Sequence, residues 1–167
     1  DIDKKPMAVI SDGVDLDLFS PMNLERYDAD RLKSRKIRIG WVGNSQFTDS
    51  EGDDDLKGVR NIIKPALNEL IQEGYQIEMK FADRKDGYIP HDKMPEYYNS
   101  IDLYVCASKN EGTPNPVLES MASGVPIIST DVGIVREAFG EKQKKYIMEN
   151  RSKIDLKNKI KDLLNNL

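Results

Sequence analysis

The sequence is short of the residues that build covalent or metal-held frameworks. It has one cysteine, Cys106, and one histidine, His91, in 167 residues. A single cysteine excludes an internal disulfide and suits a reducing compartment, so the expected location is cytoplasmic. No His/Cys cluster has the spacing of a zinc site. Apolar runs are short, and none approaches the ~20 residues of a membrane-crossing helix. A surplus of basic charge is missing too. The 25 Lys and Arg stand against 29 Asp and Glu, for a net charge of -4, which argues against nucleic acid as a partner. There is no internal repeat and no low-complexity segment. What is present, 38% hydrophobic residues in 167, is enough for one domain with a core. The chain starts at Asp1 without methionine and reads as an excised piece of a longer protein.

Apolar runs and helix-periodic segments alternate. Ile37 to Gly43 reads as a strand ending in a turn, and Gln76 to Ala82 as a strand with Ile77, Met79 and Phe81 on one face. Between them, Val59 to Glu73 carries Ile62, Ile63, Ala66, Leu67, Leu70 and Ile71 at helical spacing. Met94 to Ser100 reads as a short helix, Asp102 to Ala107 and Pro126 to Ser129 as strands, and Val132 to Phe139 as a short helix. A short strand at Tyr146-Ile147-Met148 and a helix from Asp155 to Leu167, with Leu156, Ile160, Leu163 and Leu164 on one side, complete the chain. Trp41 and Cys106 are expected in the core. Such alternation with short connections gives an α/β domain, a parallel sheet covered on both faces. Ligands bind such sheets at the carboxyl ends of the strands.

One such end stands out. Glu111-Gly112-Thr113-Pro114-Asn115-Pro116-Val117-Leu118-Glu119 places two carboxylates around a loop that cannot be regular structure. Asn115 is a suitable N-cap and Pro116 a suitable first helical residue, because its missing N–H costs nothing there. Gly124 can close the helix in the left-handed conformation. The helix N-terminus should leave N–H groups unpaired and partial positive charge facing the loop, the setting for a phosphate. The glutamates would then accept hydrogen bonds from hydroxyls, since a carboxylate repels a phosphate. As an isolated pair, two glutamates at this separation are commonplace, and the dipole alone favours Glu119 in the first turn.

The whole string from Glu111 to Gly133, with its Gly-Val-Pro turn and Thr130-Asp131-Val132-Gly133, resembles the signature of glycosyltransferase family 4, whose E-x7-E motif ends at the two glutamates. That family is retaining and has the GT-B fold. Ser11 to Pro21 resembles its N-G-V-D…F-x-P stretch, with Asp12 in place of the usual Asn. The resemblance implies a Rossmann-like three-layer sandwich, the C-terminal donor-binding half of a GT-B enzyme. Residues 1–35 would be the end of the N-terminal domain and the linker, and residues 36–167 the nucleotide-sugar-binding domain. It implies a nucleotide-diphosphate sugar as substrate and no metal or other cofactor. The acceptor glycan or lipid-linked glycan, and any peripheral membrane contact, would come through the missing domain. The chain by itself is expected to bind donor weakly and not to catalyse transfer.

Residue by residue, the resemblance assigns Glu119 to the ribose hydroxyls and Glu111 to the hexose. Gly112, Thr113, Pro114, Asn115, Pro116 and Val117 would surround the sugar and diphosphate, and Lys57 of the Lys57-Gly58 pair would neutralise the leaving phosphates. Ile89, in Gly87-Tyr88-Ile89-Pro90-His91, would pack on the nucleobase, in a segment like the one that ends the family's third strand. One element departs. The family places a basic residue after the first strand's glycine, and here Gly43 is followed by Asn44 and Ser45, whose hydrogen bonds would have to substitute. Acidic residues Asp49, Glu51, Asp53, Asp54 and Asp55 precede Lys57, which is unfavourable beside a phosphate unless they face solvent. Asp53-Asp54-Asp55 and Asp15-Leu16-Asp17 have D-x-D spacing, but neither ends a convincing strand, so both are read as solvated surface rather than metal ligands. A lone loop histidine such as His91 is read as surface.

Other readings stand beside this one. A sugar phosphorylase would share the architecture. A dehydrogenase would need Gly40-Trp41-Val42-Gly43 to continue as G-x-G-x-x-G, which it does not. A non-catalytic sugar-nucleotide-binding module, a degenerate partner of an active transferase, would account for the missing basic residue but not for the two glutamates.

Overall fold

The computed structural model describes residues 10–47 and 55–166. Met7 to Val9 and the acidic residues Asp49, Glu51, Asp53 and Asp54 therefore lie outside the described residues. Five parallel strands form one sheet in the order β2-β1-β3-β4-β5: β1 Ile37–Gly43, β2 Ile77–Asp83, β3 Leu103–Cys106, β4 Ile127–Thr130 and β5 Ile147–Met148. The order reverses between β1 and β3, where the chain leaves the β2 edge and crosses back to extend the sheet the other way. That reversal is the topological switch, and it opens a crevice at the strand carboxyl ends.

Two apolar layers flank the sheet, as the alternation predicts. On one face, Ile39, Trp41, Val105 and Ile128 pack against helix α2, Lys64–Gln72, and helix α6, Lys153–Leu164, through Ala66, Leu67, Leu70, Leu156 and Ile160. On the other, Tyr104, Cys106 and Ile127 meet helices α3, Met94–Ser100, and α4, Asn115–Ala122, through Tyr98 and Val117. β2 is an edge strand, so only Ile77 and Asp83 of its residues are fully buried, while Met79 and Phe81 pack partly against the first layer. Two short helices, α1 Ala29–Lys33 and α5 Val135–Ala138, complete the set named here.

The differences from the sequence reading have local causes. The segment leading into α2 begins as a wide turn, Val59–Ile63, in which the Gly58 carbonyl accepts from both Ile62 and Ile63. Ile71, expected in the core, is 42% exposed because it falls on the outer side of α2. α6 starts at Lys153, before Asp155, because the Ser152 side chain caps the Asp155 N–H. The segment before β1 lies on the domain. Phe19 is buried against the rings of His91 and Tyr98, and Arg26 donates to the Asn99 carbonyl at 2.6 Å.

Candidate functional site

A cleft of about 460 Å³ opens at the carboxyl ends of β1 and β2. Val42, Gly43, Asn44 and Phe47 form one side, and Ala82, Arg84 and the loop Gly87, Tyr88, Ile89 and His91 another; Met94, Asn115, Pro116, Glu119 and Lys57 close it. These residues come from distant parts of the sequence, and the switch in strand order brings them together.

Lys57 and Glu111 are 54 positions apart and meet at 2.5 Å, Nζ to Oε1, with side chains 25% and 20% exposed. Three features hold Lys57 there. Gly58 has φ 71°, and a Cβ on it would fall 2.5 Å from the Ala107 carbonyl oxygen, so only glycine lets this turn press on the end of β3. Arg151 donates to the carbonyls of Ala107, at 2.9 Å, and of Asp55, at 2.7 Å, tying the two segments together. Asp55, read as solvated surface, is in fact buried, and its carboxylate accepts the N–H groups of Arg60 and Asn61. It faces inward because those helix-start donors need a partner.

Glu119 is held from two sides. The Tyr98 hydroxyl donates to Oε2 at 2.6 Å, and His91 Nε2 lies 3.4 Å from Oε1. Burial, and after it the neighbouring Tyr104 and Glu119, pushes the Tyr98 hydroxyl far above the usual tyrosine range, so it stays a donor. His91 is exposed as expected of a surface residue, with its side chain at 63%, yet its ring packs on Phe19 and its imidazole faces Glu119 on the cleft wall.

The loop before α4 differs from expectation. Asn115 is the first residue of the helix and Pro114 precedes it, with no side-chain cap. The Asn115 N–H donates to the Thr113 carbonyl at 2.9 Å and the Val117 N–H to the Pro114 carbonyl at 2.8 Å. Pro116 has no N–H. The first turn thus satisfies its own donors instead of leaving them bare, and Asn115 and Pro116 line the cleft at the helix end that carries partial positive charge. Gly124 closes the helix as predicted, at φ 68°. Gly133, at φ 53°, sits so close to the loop that a Cβ would fall on the Gly112 carbonyl oxygen. The signature's last glycine therefore packs on its second residue.

Of the residues selected from sequence, Lys57, Gly43, Asn44, Ile89, Asn115, Pro116 and Glu119 line one cleft. Glu111 reaches it through Lys57, and it sits in a loop beyond β3, which stops at Cys106. Five are not in its lining: Gly112, Pro114, Val117, Ser45 and Thr113. Val117 is buried in the core, because it lies on the sheet side of α4. Ser45 is 5% exposed and its N–H donates to Asp83 Oδ1 at 3.1 Å, which turns it away. The Thr113 hydroxyl accepts the Asp12 N–H at 3.2 Å, joining the leading segment to the signature loop. The Gly87 to His91 segment follows β2. Phe47 and Arg84 had no sequence signal beyond their position after a strand, and Tyr88 and His91 only their place in the segment around Ile89. Among the described residues, no group of three or more His, Cys, Asp or Glu could hold a metal ion, and no helix is long and apolar enough to cross a membrane.

Known proteins resemble this arrangement. Two solved structures share the fold, each covering 92% of this chain. Sucrose-phosphate synthase from Thermosynechococcus elongatus has a TM-score of 0.58 at 19% identity, with 42% of its chain covered. The C-terminal domain of a glycosyl transferase group 1 family protein from Francisella tularensis has a TM-score of 0.56 at 22% identity, with 88% covered. By sequence, the chain is 43% identical over 56 residues (34% of the chain) to a lipopolysaccharide core biosynthesis mannosyltransferase of Rhizobium meliloti (strain 1021), 34% over 86 (52%) to O-antigen chain mannosyltransferase B of Escherichia coli, and 27% over 182 (92%) to D-inositol 3-phosphate glycosyltransferase of Thermomonospora curvata. These matches span 16%, 22% and 42% of those proteins' lengths. The family described as Glycosyl transferases group 1 matches residues 84–167, half of the chain, and with the cleft, the sheet order and the paired glutamates it leads to one conclusion: the chain belongs to the glycosyl transferases group 1 family.

Proposed function

We propose that this chain is the donor-binding half of a retaining GT-B glycosyltransferase of family 4, using a nucleotide-diphosphate sugar without a metal. One observation carries the reading. A single cleft at the strand carboxyl ends has Glu119 and Lys57 in its wall, and Glu111 is bonded to that Lys57. A nucleotide sugar has hydroxyls at both ends and two phosphates between them. Glu119, fixed by Tyr98 and His91, accepts from the ribose hydroxyls. Glu111 accepts from the hexose and keeps the Lys57 ammonium in place. Lys57 offsets the charge that builds on the diphosphate as the glycosidic bond breaks, a term worth most in a site sheltered from water. Ile89 packs on the base.

The whole protein would carry the acceptor glycan on a further domain joined through residues 1–35, with residues 36–167 forming the donor domain. It would work in the cytoplasm, in peripheral contact with a membrane through that domain. Its likeness to mannosyltransferases of lipopolysaccharide core and O-antigen chains supports a place in surface polysaccharide synthesis.

Calorimetry of the chain against UDP-, GDP- and ADP-sugars tests the site. At least one series should bind. Glu119→Ala should weaken every ribonucleotide donor, and Glu111→Ala should mainly erode discrimination between sugars. Donor binding that neither change alters would remove the assignment.

A further inference from the structure

We infer that Arg84 is the second phosphate-binding cation of the cleft, standing one strand away from the place where such a charge is missing in this chain. The inference rests on the donor-site reading above and adds a residue to it.

Four observations converge. The loop after β1 brings no cation: Gly43 is followed by Asn44 and by Ser45, which is buried on Asp83. Arg84 lies directly across from that gap. Gly43 pairs with Asp83 in the β1–β2 register, and the Arg84 N–H donates to the Gly43 carbonyl at 2.8 Å. Arg84 is exposed and lines the same cleft as Asn44 and Lys57. The other two basic residues of the wall are already engaged, Lys57 with Glu111 and His91 with Glu119, whereas the Arg84 guanidinium has no hydrogen-bond or ion-pair partner among the described residues. The neighbouring Lys85 is paired with Asp83 and does not line the cleft.

The chemistry of the site makes this charge useful. The first turn of α4 spends the N–H groups of Asn115 and Val117 on its own carbonyls, so fewer backbone donors are left for an anion. A diphosphate then depends on side-chain cations. A guanidinium offers a planar fork of donors that matches two phosphate oxygens at once, and it stays charged at any working pH. Placed on the β2 side, Arg84 would face Lys57 across the cleft, with one cation on each side of the diphosphate. A merely solvated arginine would instead leave ligand binding unchanged on substitution.

The test is titration of the chain with UDP, GDP and ADP, and with the matching nucleosides by ligand-observed NMR, at two salt concentrations. Arg84→Gln should weaken the diphosphate that binds best by about tenfold, the loss of one charged contact in a partly exposed site. It should also flatten the salt dependence and leave the nucleoside affinity unchanged, and Arg84→Lys should recover part of the loss. Equal weakening of diphosphate and nucleoside, or no weakening at all, would overturn the role of Arg84 while leaving the donor site intact. If the unsubstituted chain bound none of the three diphosphates, the donor-site reading would fall and this inference with it.

Discussion

Two acid–base clusters sit at opposite ends of the same sheet, and they differ in how fully they are satisfied. At the amino end, Asp102 is entirely buried and accepts five hydrogen bonds, from the Arg35 guanidinium twice, from the Arg38 guanidinium twice and from the Arg38 N–H. At the carboxyl end, Lys57 and Glu111 share one contact and both remain partly exposed. The first cluster is closed: every lone pair of the carboxylate is used, so it can bind nothing and serves to join β1, β3 and the segment before β1. The second is open, with donors and acceptors to spare beside a cleft. Saturation and burial, more than the presence of charge, separate a structural staple from a site.

The sharpest way to break the comparison is at Asp102. Asp102→Asn should destabilise the chain by about 3 kcal/mol in urea unfolding, because it leaves two partly buried guanidinium groups without a counter-charge. The effect has a pH signature. Burial pushes the Asp102 carboxyl up, but the hydrogen bonds from Arg35 and Arg38 outweigh it and hold it below the ordinary aspartate value. A depressed carboxylate contributes stability above its unfolded pKa and loses it as pH falls through the folded one. The gap between the two proteins should therefore be full at neutral pH and close only below the usual aspartate range.

The open cluster should respond in binding. Glu119→Ala should cost about 2 kcal/mol of ribonucleotide-donor affinity by calorimetry, the scale of hydrogen bonds to a charged acceptor, and leave the fold intact. Lys57→Gln should weaken nucleoside diphosphates about tenfold, while changing unfolding stability by less than about 1 kcal/mol, since a single partly exposed contact contributes little. The smallest change is expected for Tyr98→Phe. Removing the hydroxyl that orients Glu119 should cost about 1 kcal/mol of binding. A Lys57→Gln loss of stability as large as that of Asp102→Asn would erase the distinction between the two ends.

The paired elements were legible in the sequence because their signals are local. β1 and α3 fall where the alternation and periodicity put them, and Gly124 closes α4 because no side chain can take its φ without strain. Lys57, Glu111 and Glu119 were selected through a resemblance that spans many positions, not through their spacing alone. Ile71 illustrates the opposite case. Helical periodicity admits a wide apolar stripe, and only the packed neighbours of α2 decide which edge of it meets the sheet. The resemblance also points to Ser45 and Val117, and both turn away, while Arg84, Tyr88 and His91 join the cleft from a loop without periodic signal.

The sequence by itself determined the alternation of strands and helices, the family signature and the residue types at its ends, because these follow from backbone preferences and side-chain chemistry within a few turns of chain. The tertiary structure alone decided which charges are free. Whether Asp55 is buried or solvated, whether the first turn of α4 keeps its N–H groups for a ligand, and whether Lys57 meets Glu111 across 54 positions all depend on what the reversed strand order sets side by side. Hydrogen-bond and ion-pair satisfaction is a property of neighbours in space, and no local stretch of sequence contains them.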